Sequence, residues 1–94
     1  MAIAMAALAL GEPQFYGQMK QYIACLQREL PADISSRDRS RRIELYHAAT
    51  ARCQREREAA IAAAVRERPR GTSEAQARQQ AIAVIDDLAP SPRK

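Results

Sequence analysis

The chain lacks most of what builds a catalytic centre or a thick core. Its 94 residues include no Trp, one Phe, three Tyr, one His and two Cys. A single His leaves a zinc-type coordination sphere incomplete, and Cys25 and Cys53 have no metal-ligand spacing. Two Cys are also too few for a disulfide framework. Although 47% of the residues are hydrophobic, much of that is alanine, which favours helix without filling volume, so the core should be thin. The apolar opening MAIAMAALAL has no basic flank and runs straight into Gly11-Glu12-Pro13. It makes a poor signal peptide and is well short of the roughly 20 residues that span a bilayer. These absences predict a soluble cytoplasmic protein with no membrane contact, cofactor, metal or small-molecule substrate.

What is present points to helices. High alanine with almost no β-branched clusters predicts an all-α fold. A chain of this length makes one small domain, which buries only about two thirds of its unfolded surface and often needs a partner or a second copy. From Ser35 to Arg68 there is no Gly or Pro, and this stretch reads as one long helix. It holds nine Arg against five acids, while the rest of the chain has six bases and six acids, so the whole net charge of +4 lies here. The isoelectric point is about 9.6. The preference for thirteen Arg over two Lys is also what a GC-rich genome produces.

In chain order, residues 2–10 read as a short apolar helix, closed by Gly11 and Pro13. A second helix, 14–30, carries Phe15, Met19, Ile23, Leu26 and Leu30 on one stripe, flanked by Tyr22. Gly17 inside it costs about 1 kcal/mol relative to Ala, which a close helix approach would explain. The turn at 31–34 leads into the long helix, 35–68, with Asp33 or Ser35 as N-cap. Its inward positions are Ile43, Tyr46, Thr50, Cys53, Ala60, Ile61, Ala64 and Val65. Folding the two helices about residues 32 and 33 sets Phe15 against Thr50, Met19 against Tyr46 and Ile23 beside Ile43, an antiparallel hairpin. That register separates Cys25 from Cys53 by roughly 20 Å at 1.5 Å per residue, too far for a disulfide. Cys25 then reads as a partly exposed thiol and Cys53 as a small core residue.

After Pro69-Arg70-Gly71, Ser73 and Gln76 have capping-box spacing for a last helix, 74–89. Its expected inner face is Ala75, Arg78, Ile82, Ile85 and Leu88. Folding back about residue 70 or 71, it covers the half of the long helix that the second helix leaves bare. Residues 90–94 read as a flexible tail. The expected architecture is thus an elongated three-helix arrangement, a hairpin on a long central helix plus a C-terminal helix, with a short N-terminal helix.

The candidate site residues are basic and aromatic. Arg37, Arg39, Arg41 and Arg42 crowd the start of the long helix, where the macrodipole disfavours positive charge; Asp38 can pair with Arg42. They form either an anion-seeking patch or a solvated face. Arg52 and Arg55 can pair with Glu56 and Glu58 as a salt-bridged seam, and Arg57, on the inward stripe, snorkels or crosses to a partner's carboxylate. Phe15, Tyr16, Tyr22 and Tyr46 are the only bulky aromatics, either a core layer or, where exposed, anchors for a partner. Glu44, His47 and Cys53 have the residue types of a metal or thiol site but lack further ligands. Asp86 and Asp87 oppose the last helix's dipole and could pair with Arg52 or Arg55.

The reading that follows is a non-enzymatic protein-binding module, an inhibitor, adaptor or chaperone of bacterial or phage origin. It would dock on an acidic surface of a larger protein assembly through the aromatics, with the Arg row orienting the encounter. One alternative is a dimeric nucleic-acid-binding regulator that contacts phosphates through Arg37–Arg42, since the isoelectric point suits a basic domain. Against it, stacking aromatics and a short recognition helix are missing from the basic stretch. A second alternative is a homo-oligomeric helical assembly.

Overall fold

Alanine-rich, Gly- and Pro-sparse segments fold here into helices only. A computed structural model describes residues 13–92, in which there are four α-helices and no strand. They are α1 (Gln14–Glu29), α2 (Arg39–Arg52), α3 (Gln54–Arg66) and α4 (Glu74–Leu88), with a 3-10 turn at Ile34–Ser36. The expected helix at 2–10 and the last two residues of the expected tail lie outside the described residues. None of the described helices is long and apolar enough to cross a membrane.

The expected helix over 35–68 is not continuous. Ser35 lies in the 3-10 turn, and α2 begins only after Asp38, whose carboxylate accepts from the Arg41 N–H at 2.8 Å as N-cap. Asp33 instead pairs with Arg37 at 3.1 Å. The second interruption is Cys53, which ends α2 and starts α3 with φ −99° and ψ 17°. These angles lie in the bridge region rather than the helical well.

The hairpin register also differs from expectation. Helix α1 packs chiefly along α3 and only slightly on α2. At one end of this pair Glu67 accepts from the N–H groups of Gln14 and Phe15, at 2.7 and 2.9 Å. At the other end Glu29 pairs with Arg52 at 3.4 Å. The same register joins Cys25 and Cys53, which are disulfide-bonded with Cα atoms 5.9 Å apart; neither is the free thiol expected. The cause is the connection after α1, which is not a tight turn. Pro31 holds Leu30 extended (φ −90°, ψ 140°), and residues 30–38 form a long link that lets the chain return past the end of α1 before α2 starts.

Helix α3 is therefore the centre, with α1 on one side and α4 on the other. The α3–α4 hairpin keeps the expected register, with Arg68 near Glu74 (3.9 Å), Arg78 on Glu58 (3.1 Å) and Arg57 on Asp86 (3.1 Å). Asp86 thus pairs with Arg57, not with Arg52 or Arg55, and Glu58 with Arg78, not with Arg55. The Ser73–Gln76 capping box forms as expected. The inner face of α4 is Ala77, Ala81 and Ile85, rotated from the expected one. Ala75, Arg78 and Leu88 are exposed, and small side chains take their place against alanine-rich α3.

The core combines Met19, Tyr22, Cys25 and Leu26 of α1 with Cys53, Ala60 and Ile61, and with Ala81 and Ile85 of α4. Leu26, Ile61 and Ile85 are its largest fully buried side chains. A seam of alanine lets helices approach closely but contributes little apolar area per residue, as the composition predicts. Gly17 does not mark a close approach, because a Cβ there would meet nothing within 4 Å. Helix α2 is the least covered element. Ala49 is its one buried residue, and Ile43, Leu45 and Tyr46 are half-buried. The protein measures 51 × 34 × 20 Å, elongated as expected.

Candidate basic cleft

Because α2 departs from α3 at Cys53, one side of it faces the end of α4 across an open cleft of about 1130 Å³. Helix α2 contributes Arg39, Arg42, Ile43, Tyr46 and His47 to one wall; the three- and four-residue steps 39–42–46 and 39–43–47 set them on one face. Arg57, Asp86 and residues 89–92 form the other. Pro90, Ser91 and Pro92 are half-buried there, so this part of the expected tail is packed. Three arginines against one carboxylate give the lining a positive balance.

Arg57 is half-buried in that second wall. Its side chain is 18% exposed, its Nη1 lies 3.1 Å from Asp86 Oδ1, and its guanidinium carbon stands 5.8 Å from the Tyr22 ring centroid. Burial by itself lowers the Arg57 pKa, but hydrogen bonding to the Tyr22 side chain and the pairing with Asp86 outweigh it and hold the pKa above the ordinary value. The guanidinium is therefore a fixed cation in a half-dry setting, one of the two alternatives the sequence offered for it. It snorkels, and its carboxylate comes from the same chain.

The other arginines divide by partner. Arg37 pairs with Asp33, Arg41 with Glu44 (3.1 Å) and Arg52 with Glu29, all in exposed ion pairs. Pairs of that kind are worth about 0–1 kcal/mol, little enough for an outside carboxylate to displace them. The guanidinium of Arg42 donates to the Arg37 carbonyl at 2.6 Å, replacing the expected pair with Asp38 and turning the side chain along the start of α2. Arg39 and Arg55 have no carboxylate partner among the described residues, and both are exposed.

The four aromatic candidates do not form one patch. Tyr22 is 2% exposed, so it is a core residue and not an anchor for a partner; on α1 it falls on the face that α3 covers. Tyr46 is half-buried in the cleft wall. Phe15 and Tyr16, with ring centroids 5.8 Å apart, lie at the opposite end of α1. There they line a shallow apolar groove of about 260 Å³ with Ala64, Pro69, Ala81 and Val84. The hairpin register expected from the sequence would have gathered them; the actual register leaves Phe15 and Tyr16 at the groove and Tyr22 and Tyr46 at the cleft.

His47 is exposed on α2 and Glu44 pairs with Arg41, while Cys53 is buried in its disulfide. The three do not assemble into a site, and no group of three or more metal-ligating side chains is found among the described residues. Sequence reasoning missed the Cys25–Cys53 bond, the Glu67 cap and the part of residues 90–92 in the cleft. The even cysteine count was the available signal for the first; the other two depend on register. The chain matches no protein-family model, no curated protein and no solved structure.

Proposed function

We propose that the protein is a non-enzymatic binding module that takes an acidic segment of a partner protein into the basic cleft. One observation carries this reading: the concave lining gathers Arg39, Arg42 and Arg57 against the single carboxylate of Asp86, with Tyr46 and His47 between them. Arg57 supplies a half-buried positive charge in the wall opposite α2, where an ion pair is screened less than at the open surface. Arg39, exposed, and Arg42, half-buried, add two further cations to the lining. Arg37 and Arg41, outside it, orient the encounter and raise its rate. The action fits an inhibitor, adaptor or chaperone that covers an acidic stretch of a larger assembly.

The compartment belongs to the same reading. Disulfides persist where thiols are oxidised and are rare in a reducing cytoplasm. The Cys25–Cys53 bond therefore favours an oxidising compartment over the cytoplasm expected from the opening residues.

Fluorescence anisotropy with a labelled hexaglutamate peptide tests the reading. The wild-type protein should bind it at 50 mM salt, and the double charge reversal Arg39→Glu/Arg42→Glu should weaken binding at least tenfold. Reversal of Arg66, at the far end of α3, and Arg70, in the turn beyond it, should leave binding within twofold. Equal loss from both pairs would mean that the cleft is not the site. A labelled random DNA duplex distinguishes the nucleic-acid alternative, because phosphate binding falls steeply between 50 and 200 mM salt. Tight duplex binding abolished by the same Arg39/Arg42 reversal would favour that alternative instead.

A further inference from the structure

The disulfide lies where the sequence and the fold diverge. Sharp breaks in a helix arise at Pro, at Gly/Ser pairs, at π-bulges or where a group enters the hydrogen-bond ladder. Residues 49–57, Ala-Thr-Ala-Arg-Cys-Gln-Arg-Glu-Arg, contain no Pro, Gly or Ser. The helix nevertheless stops and restarts at Cys53, the residue tied to α1 through Cys25. The Ala49 carbonyl accepts from the Cys53 N–H and the Cys53 carbonyl from the Arg57 N–H, each at 3.0 Å, so regular turns abut the joint on both sides. A helix end forgoes backbone bonds that a continuous helix makes, and nothing in the local sequence calls for that loss.

Little else fixes α2. It has one buried residue, slight packing on α1, and the exposed Arg52–Glu29 pair beside the joint. Yet α2 carries one whole wall of the cleft, while Arg57, Asp86 and residues 89–92 carry the other. The relation of the two walls is set at Cys53.

We infer that the Cys25–Cys53 disulfide is a redox latch. Oxidised, it holds the break at Cys53 and with it the basic cleft; reduced, it allows α2 and α3 to run on as one helix, and the cleft is lost. The chemistry is thiol–disulfide exchange with a dithiol reductant. A reductant thiolate attacks one sulfur, the S–S bond breaks, and the second reductant thiol resolves the mixed disulfide. Two electrons and two protons pass to the pair, leaving two cysteine thiols and the reductant as its own disulfide. The functional consequence rests on the cleft being the acidic-segment site: capture would be confined to oxidising surroundings.

The full chain, labelled with ¹³C and ¹⁵N, tests this by NMR in three forms: oxidised, reduced with dithiothreitol, and as Cys25→Ser/Cys53→Ser. In both the reduced and the serine-substituted forms, the Cα shift of residue 53 should move to a helical value while those within α1, α2, α3 and α4 stay helical. Hexaglutamate affinity should fall at least tenfold. Non-helical shifts at the joint after the bond is opened would overturn the latch, as would loss of helical shifts from every element together. Undiminished peptide binding by the reduced form would overturn it too. Should the double variant fail to fold, the reduced wild type decides between these outcomes. If even the oxidised form ignores hexaglutamate, the binding reading fails, and the joint shifts still decide the latch.

Discussion

Two glycines show how one residue type can be neutral at one position and required at another. Gly71 has φ +86° in the turn where the Thr72 N–H donates to the Pro69 carbonyl at 3.1 Å. Any Cβ there is strained even though space is open around it, and left-handed geometry disfavours other residues by about 1–2 kcal/mol. Gly17 has ordinary helical geometry inside α1, with nothing within 4 Å of a built Cβ, so it retains only the entropic disadvantage of glycine. Gly17→Ala should stabilise the protein by about 0.5–1 kcal/mol, and Gly71→Ala should destabilise it by about 1–2 kcal/mol. Urea denaturation of the two variants beside wild type measures both, and equal effects of one sign would contradict the contrast. Gly71 was legible as a break in the sequence. Gly17 was not, because whether a helical glycine is useful depends on what lies against it.

At the level of the helix, the ends are where local and tertiary information separate. The start of α4 is written locally. Ser73 accepts from the Gln76 N–H, and Gln76 returns a carbonyl oxygen to the Ser73 N–H, both at 3.1 Å; the spacing alone revealed it. The start of α1 is capped from a distance, because Pro13 has no side-chain acceptor and Glu67, beyond the end of α3, supplies the oxygens. A carboxylate on two orphan N–H groups also lies at the positive end of the α1 dipole. Glu67→Ala should lower stability by about 1–2 kcal/mol, at the upper end of the range for lost N-caps, and Glu67→Gln should recover part of that. Hydrogen exchange should localise the effect to the first turn of α1. Fraying spread evenly over the fold would instead mean that Glu67 acts through general charge balance.

For the molecule as a whole, helix content and the α3–α4 hairpin were legible, because capping, Gly/Pro punctuation and alanine bias act within a few residues. The pairing of α1 was not, since it turns on whether residues 30–38 form a tight turn or a long link. Once Glu67 meets Gln14 and Glu29 meets Arg52, Cys25 and Cys53 fall opposite each other, and the bond follows from the register. A cross-link over a sequence separation of 28 restricts the unfolded chain, which chain-entropy reasoning values at about 3–4 kcal/mol. Against a total of about 5–15 kcal/mol for a domain, and a thin alanine core, this is a large share. Urea unfolding of the reduced full chain should therefore show a loss of about 2–4 kcal/mol, reduced by whatever backbone bonding an uninterrupted α2–α3 helix regains. Its denaturant slope should be steeper than that of the oxidised form, because a chain without the cross-link exposes more surface when unfolded. Unchanged stability and slope would mean that register alone holds α1 against α3, with the disulfide formed only because the fold brings its sulfurs together.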